Sequence, residues 1–190
     1  MQRLKNIAEV QIGYQATGRM MHHGDGTHRL IQLKDVRGDR IQTSDLIAFV
    51  PKRDPQPYLV GPGDILFVAR GRKNQAVLST ERLENVLAVS NFYIIRAGPA
   101  VLPEYLCWHL GQPAAQDHIR SRVHGSGIKM IKKSDLLELL VPVPPLDVQR
   151  KVVAVARLAG EEERLTQAIS NKRQELAAAL CGRAVADKEE

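Results

Sequence analysis

The residues best equipped for chemistry in this sequence are cations and amides set between glycines, and they suit holding a polyanion better than breaking a bond. Ala69-Arg70-Gly71-Arg72-Lys73-Asn74-Gln75 follows directly on the apolar run Ile65–Val68. A guanidinium can fork onto guanine or a phosphate, Asn and Gln match adenine edges, and Gly71 lets the backbone come close. A second stretch runs from His124 to Lys133 and carries Gly125, Ser126, Gly127, Lys129, Lys132 and Lys133. Backbone amides freed by glycines, together with three lysines, are phosphate-binding chemistry. Arg19 and His124 are weaker candidates for the same work. Either stretch read alone is also compatible with a solvated loop.

The catalytic alternatives are poorer. His22, His23, Asp25 and His28 could suggest a metal site, but they sit in a Gly-rich loop without a second ligand group at a recognised spacing. Gly24-Asp25-Gly26 and Gly61-Pro62-Gly63-Asp64 read as turns, because neither is a Gly-rich loop closed by Lys-Ser/Thr. Gly125-Ser126-Gly127 lacks the outer glycines of a nucleophile elbow. Cys107 and His109 flank Trp108 two residues apart, a spacing that points side chains away from each other on a helix. The two cysteines, Cys107 and Cys181, are far apart and read as reduced and structural rather than as a disulfide or metal site. No metal is expected.

Charge distribution favours the polyanion reading. The 190 residues carry a formal net charge of +6 and a pI near 9.5. From Met1 to Pro145 there are 19 Lys and Arg against 13 Asp and Glu; from Leu146 to Glu190 there are 8 of each. All the excess positive charge therefore precedes residue 146, as in a nucleic-acid-binding module joined to a neutral arm. No apolar run is long enough to span a membrane, and Met1–Gln11 lacks the apolar core of a signal peptide, so a cytoplasmic chain is expected.

The elements that must position these groups are short. Leu30–Leu33, Ile47–Val50, Ile65–Val68, Ala76–Leu78, Phe92–Ile95 and Leu139–Val143 read as strands bounded by turn residues. Helices are expected from Pro103 to Leu110 and from Pro113 to Val123, the second stopped by Gly125. Strands with a few helices predict an α+β domain over residues 1–145, closed by Pro142, Pro144 and Pro145. A single long helix is then expected over 146–181, followed by a flexible tail over 182–190. Val148, Val152, Val155, Leu158, Leu165, Ile169, Leu176 and Leu180 mark its apolar stripe, and Gly160 is a place where it could bend. A stripe of that length wants another helix, so a coiled-coil-like pairing is predicted.

The order of these features resembles one half of the DNA specificity subunit of type I restriction-modification systems. The matching pieces are Leu4–Val10 leading to Gly13, Ile31–Val36, Val60–Phe67, Ser90–Arg96 and Pro103–Leu106. The most telling is Ile131–Arg150, with Asp135-Leu136, Val141-Pro142-Val143-Pro144-Pro145-Leu146 and Gln149 ahead of the long helix. No one piece is specific, but their order covers nearly all of residues 1–180.

The resemblance implies a mixed α/β target-recognition domain that reads part of a split double-stranded DNA site. It implies no catalysis by the chain itself. DNA methylation would come from an adenine-methyltransferase subunit using S-adenosylmethionine, and cleavage from a restriction and motor subunit, as in phage defence. One domain and one helix, where the family has two of each, imply a half subunit acting as a homodimer through the helix. The DNA-contacting residues are then expected to be Arg19, Arg70, Arg72, Lys73, Asn74, His124, Ser126, Lys129, Lys132 and Lys133. Two alternatives stay open: an interaction or regulatory protein that binds the methyltransferase without site specificity, and a small hydrolase built on the histidines and Asp64.

Overall fold

The computed structural model of the chain describes residues 1–16, 26–71, 73–124 and 130–186 and, within them, all side chains other than those of residues 124 and 184–186. They fall into two units, Met1–Arg150 and Lys151–Glu190. In chain order the first unit contains β1 (Gln2–Arg3), β2 (Ala8–Ile12), β3 (His28–Ile31), β4 (Val36–Arg37), β5 (Arg40–Ile41), β6 (Ile47–Phe49), β7 (Ile65–Val68), β8 (Ala76–Leu78), β9 (Val86–Ala88) and β10 (Phe92–Ala97). After these come the helices α1 (Pro103–Leu110) and α2 (Pro113–Ser121), then β11 (Val123–His124), β12 (Met130–Ile131), α3 (Lys133–Leu137) and β13 (Leu140–Val141). Helix α4 (Leu146–Ala186) starts in this unit and makes up the second. The fold is α+β, as the sequence predicts.

Two sheets build the core. One is antiparallel in the order β2-β10-β7-β8; the other is β6-β3-β9, with β3 antiparallel to β6 and parallel to β9. Successive strand residues face opposite sides. Phe92 and Ile94 of β10 join Leu66 and Val68 of β7 against Leu30, Ile31 and Leu87 of the second sheet. On α1's side of the molecule, that helix packs against β8 and β10. Burial on both faces explains why Ile65–Val68 and Phe92–Ile95 are unbroken apolar runs rather than alternating ones. Phe67 and Phe92 are fully buried, each stabilising by about 1.5–3 kcal/mol relative to exposure. The sheets meet tightly at Gly13, where an added Cβ would lie 2.2 Å from the Val89 carbonyl oxygen and 2.6 Å from that of Ala88.

Several boundaries differ from the sequence-based expectation. The strand predicted over Leu30–Leu33 ends at Ile31, because Leu33–Asp35 forms a 3-10 turn in which the Asp35 carboxylate accepts the Gln32 amide at 2.8 Å. The helix expected to reach Val123 stops at Ser121. Val123 and His124 leave it to pair with Ile131 and Met130, so a tertiary partner suited to β-branched Val123 overrides local helical preference. The stretch Leu139–Val143 contributes only β13, paired with β1. Strands β2 and β9 and the short helix α3 had no counterpart in the sequence reading.

The Pro142–Pro145 segment is fastened by a buried side chain. Gln149, 0% exposed, accepts the Leu102 amide at 2.8 Å and donates to the carbonyls of Pro144 at 2.7 Å and Ala100 at 3.0 Å. Helix α4 then continues through Gly160 without a break for 41 residues, about 60 Å. From residue 157 to residue 183 every side chain is exposed, the apolar stripe included.

Candidate nucleic-acid interface

The first basic stretch is a loop held from inside. Beyond β7 the chain turns back so that the Val68 amide donates to the Gln75 carbonyl at 2.8 Å. The Asn74 side-chain amide donates to the carbonyls of Val68 at 2.8 Å and Ala69 at 3.4 Å, closing the loop across its base. The Ala69 and Arg70 amides both donate to the Asn91 carbonyl, at 2.9 and 3.2 Å. From α2, Gln116 donates to the Asn74 carbonyl at 2.9 Å and to that of Leu110 at 2.7 Å. The backbone is thereby fixed while the side chains of Arg70 and Lys73 stay exposed. Asn74 is partly buried, its amide nitrogen committed to the loop's own carbonyls.

The described end of the second stretch, from Met130, lies against the first, although some sixty positions separate them in the chain. Arg70 forms an antiparallel bridge with Met130, and the Ile131 amide donates to the Ala69 carbonyl at 3.1 Å. β12 is also tied to β10, because the Tyr93 hydroxyl donates to the Ile131 carbonyl at 2.9 Å. Burial, reinforced by the nearby Asp135 carboxylate, pushes the Tyr93 phenol above its ordinary value, so it remains a protonated donor. Lys132 is exposed directly after β12, and Lys133, half-buried, begins α3. Arg70 thus lies beside β12, which Lys132 directly follows, and Lys73 stands three residues further along the first loop; none of the three makes an ion pair among the described residues. Of the other candidates, Arg19, Arg72, Ser126 and Lys129 lie outside the described residues, as does the His124 side chain.

Two further cations, Arg122 and Arg53, are held by neighbouring side chains. Arg122 stands one step beyond the Val123–Ile131 pair, at the register position opposite Lys132. Its guanidinium donates to Nδ1 of His118 at 3.2 Å, while Nε2 of His118 lies 3.2 Å from the Asp135 carbonyl. Reading residues 113–123 as continuous helix hid this placement. Arg53 lies over two aromatic faces, 4.9 Å from the Tyr14 ring centre and 5.2 Å from that of Tyr58, an arrangement that restricts an exposed guanidinium. The signal for it in the sequence, Lys52-Arg53 close to Tyr58, was present but unremarkable without the distant Tyr14.

The residues weighed for catalysis have structural work. The Asp64 carboxylate accepts the Gly61 amide at 2.9 Å and Nε of Arg96 at 3.3 Å, clamping the turn that contains Gly63 at φ +87°. Burial pushes the Cys107 thiol up to about 12, so it is not a nucleophile at neutral pH. His109 stacks on Tyr105, its Nε2 3.3 Å from the Leu140 carbonyl, and burial lowers its pKa. Among the described residues no three His, Cys, Asp or Glu are placed to hold a metal ion; His22, His23 and Asp25 lie outside them. Among them, too, no helix is long and apolar enough to cross a membrane.

Comparison with known proteins finds likeness in fold. No protein-family model matches the chain, and no curated protein matches it. The HsdS subunit from Thermoanaerobacter tengcongensis aligns over 84% of this chain at 18% identity and a TM-score of 0.59, using 36% of its own length. A chain from a study of complex assembly and conformational transition in the type I R-M system aligns over 92% at 19% identity and 0.67, using 41% of its length. The type I restriction-modification S subunit from M. genitalium aligns over 84% at 13% identity and 0.58, using 38% of its length. The chain therefore has the fold of part of a specificity subunit and spans about two-fifths of the solved chains it matches.

Proposed function

We propose that this chain is a DNA-recognition subunit of a type I restriction-modification system, non-catalytic itself, that directs a methyltransferase and a restriction subunit to a split target. The observation that carries the reading is the meeting of two basic stretches, distant in sequence, at one edge of a specificity-subunit fold. Arg70, Lys73 and Lys132 project from backbone that is already hydrogen-bonded in place, so little ordering is required when a duplex binds. Lysines there neutralise phosphates, and Arg70 has the fork geometry to read a guanine edge. The partner methyltransferase would supply S-adenosylmethionine and the adenine chemistry. Helix α4 would join two copies into a homodimer that reads both halves of the site, its stripe, exposed from Val155 to Leu180, being the surface such a dimer needs.

The test is selection of bound duplexes from a random pool by the chain together with its methyltransferase subunit. Enrichment of a two-part motif supports the reading; recovery of unselected sequence at equal affinity refutes it. Within the selected motif, Arg70→Ala should cost about 1–3 kcal/mol and relax the preference at one position. Lys132→Ala should weaken all duplexes alike and reduce the salt slope by about 1.

A further inference from the structure

The hairpin of β4 and β5 carries a pair of charges that its own stability does not explain. Val36 pairs with Ile41 and Arg37 with Arg40 across a two-residue turn, Gly38-Asp39. Gly38 takes φ +61° while Asp39 stays out of the left-handed region, the pattern of a type II′ hairpin turn. Directly opposed residues share a face and successive residues alternate, so Val36 and Ile41 point one way and Arg37 and Arg40 the other. Val36 and Ile41 are half-buried against the core, which leaves the two arginines exposed side by side. Like charges set opposite each other destabilise a hairpin. Among the described residues neither guanidinium makes an ion pair, with Asp39 or with any other carboxylate, to relieve that repulsion.

The base of the hairpin is fixed, and it stands next to the first basic loop. The Gln42 amide donates to the Asp35 carbonyl at 2.7 Å, and the Asp35 carboxylate accepts the Gln32 amide at 2.8 Å. β5 packs beside β8, the strand into which the first basic loop runs. Leu33 comes within 3.9 Å of where a Cβ on Gly71 would stand. Residues 33–41 therefore abut both the loop that carries Arg70 and Lys73 and the strand that follows it. We propose that Arg37 and Arg40 are a phosphate anchor for duplex DNA, holding the backbone beside the stretch that the Arg70–Lys73 loop meets. The inference rests on the DNA binding contained in the proposed function and extends its surface to this hairpin. A guanidinium donates two parallel N–H bonds to phosphate oxygens, and an anion between two guanidiniums turns their repulsion into attraction to a shared partner. Such contacts fix orientation without reading sequence, so the hairpin positions the duplex while Arg70 meets the bases. A carboxylate-rich protein surface would also suit the pair; the neighbouring loop, with its own unpaired Arg70 and Lys73, favours phosphate.

The experiment follows binding of the full chain to a random-sequence duplex as salt is raised. Arg37→Gln with Arg40→Gln should reduce the slope of log affinity against log salt by about 2 per bound chain, and either change alone by about 1. The loss should be the same on every duplex sequence, and Arg37→Lys with Arg40→Lys should keep the slope. Stability separates this role from a structural one. Arg37→Glu replaces a like-charged cross-strand pair with an opposite one, so it should raise the melting temperature while weakening duplex binding. A fall in both would mark a structural role and overturn the anchor. An unchanged slope in the double Gln variant overturns it while leaving DNA binding standing. If that variant instead loses association with the methyltransferase subunit, the pair is a protein-docking patch and the anchor is again overturned. A parent chain that binds no duplex removes the DNA reading itself and this inference with it.

Discussion

Gln149 offers the sharpest quantitative test of how the recognition unit is held together. Its side chain is fully buried and makes three hydrogen bonds, one accepted from Leu102 and two donated to Ala100 and Pro144. Gln149→Met keeps the volume and removes all three. Leu102 and Pro144 are half-buried and Ala100 is exposed to water, so at about 1–3 kcal/mol for each of the two half-buried partners a loss of about 2–6 kcal/mol is expected, a large part of a typical domain's 5–15 kcal/mol. Gln149→Glu separates polarity from shape. An ionised carboxylate still accepts from Leu102 but faces two carbonyl oxygens with no donor, and burial penalises its charge further. Its folded pKa must therefore rise above the unfolded value of about 4.3. A raised folded pKa means that the native state binds the proton more tightly. Relative to the parent chain, stability is then greatest at low pH and declines with rising pH, by at most about 1.4 kcal/mol per unit. Urea unfolding of the three proteins at pH 5 and pH 8 measures this. A Met variant within about 1 kcal/mol of the parent, or a Glu variant whose deficit does not grow with pH, would refute the reasoning.

Other consequences are simpler. Tyr93→Phe deletes the hydroxyl bond to the Ile131 carbonyl and should cost about 1–2 kcal/mol, with faster amide exchange at Ile131 and weaker DNA binding; unchanged exchange would show that β12 is docked by other means. Gly160→Ala adds a methyl to a helical site with nothing within 4 Å and should stabilise α4 by about 0.5–1 kcal/mol, read as a rise in melting temperature and helical signal. His109 titrates below 6.5 in the folded state through burial, so the unfolded chain takes up its proton first. Its contribution is intact above about pH 6.5 and is lost as pH falls below it; His109→Gln should flatten that part of the stability profile.

Legibility from sequence followed the range of the interactions involved. The strands Ile65–Val68 and Ala76–Leu78 and the helix Pro103–Leu110 could be read as they stand, because turn glycines and a first-turn proline mark them locally. Strand β9, three residues long, exists because β3 lies beside it in parallel, and β11 because β12 returns to it. Neither partner can be seen from within a short window. The cations of the candidate interface were visible by type, but their meeting depends on a bridge between Arg70 and Met130 that no spacing encodes. Asn74, attractive as an adenine reader, spends its amide on the Val68 and Ala69 carbonyls, a loop-closing role that only geometry reveals.

The central claim, recognition of a split DNA sequence on behalf of a methyltransferase, is tested most directly by mapping modified adenines across the genome in cells with and without this chain. The account predicts that one two-part motif with a fixed spacer is methylated when the chain is present and unmethylated when it is absent, and that methylation returns with the parent sequence. An identical methylation map in both cells would contradict it.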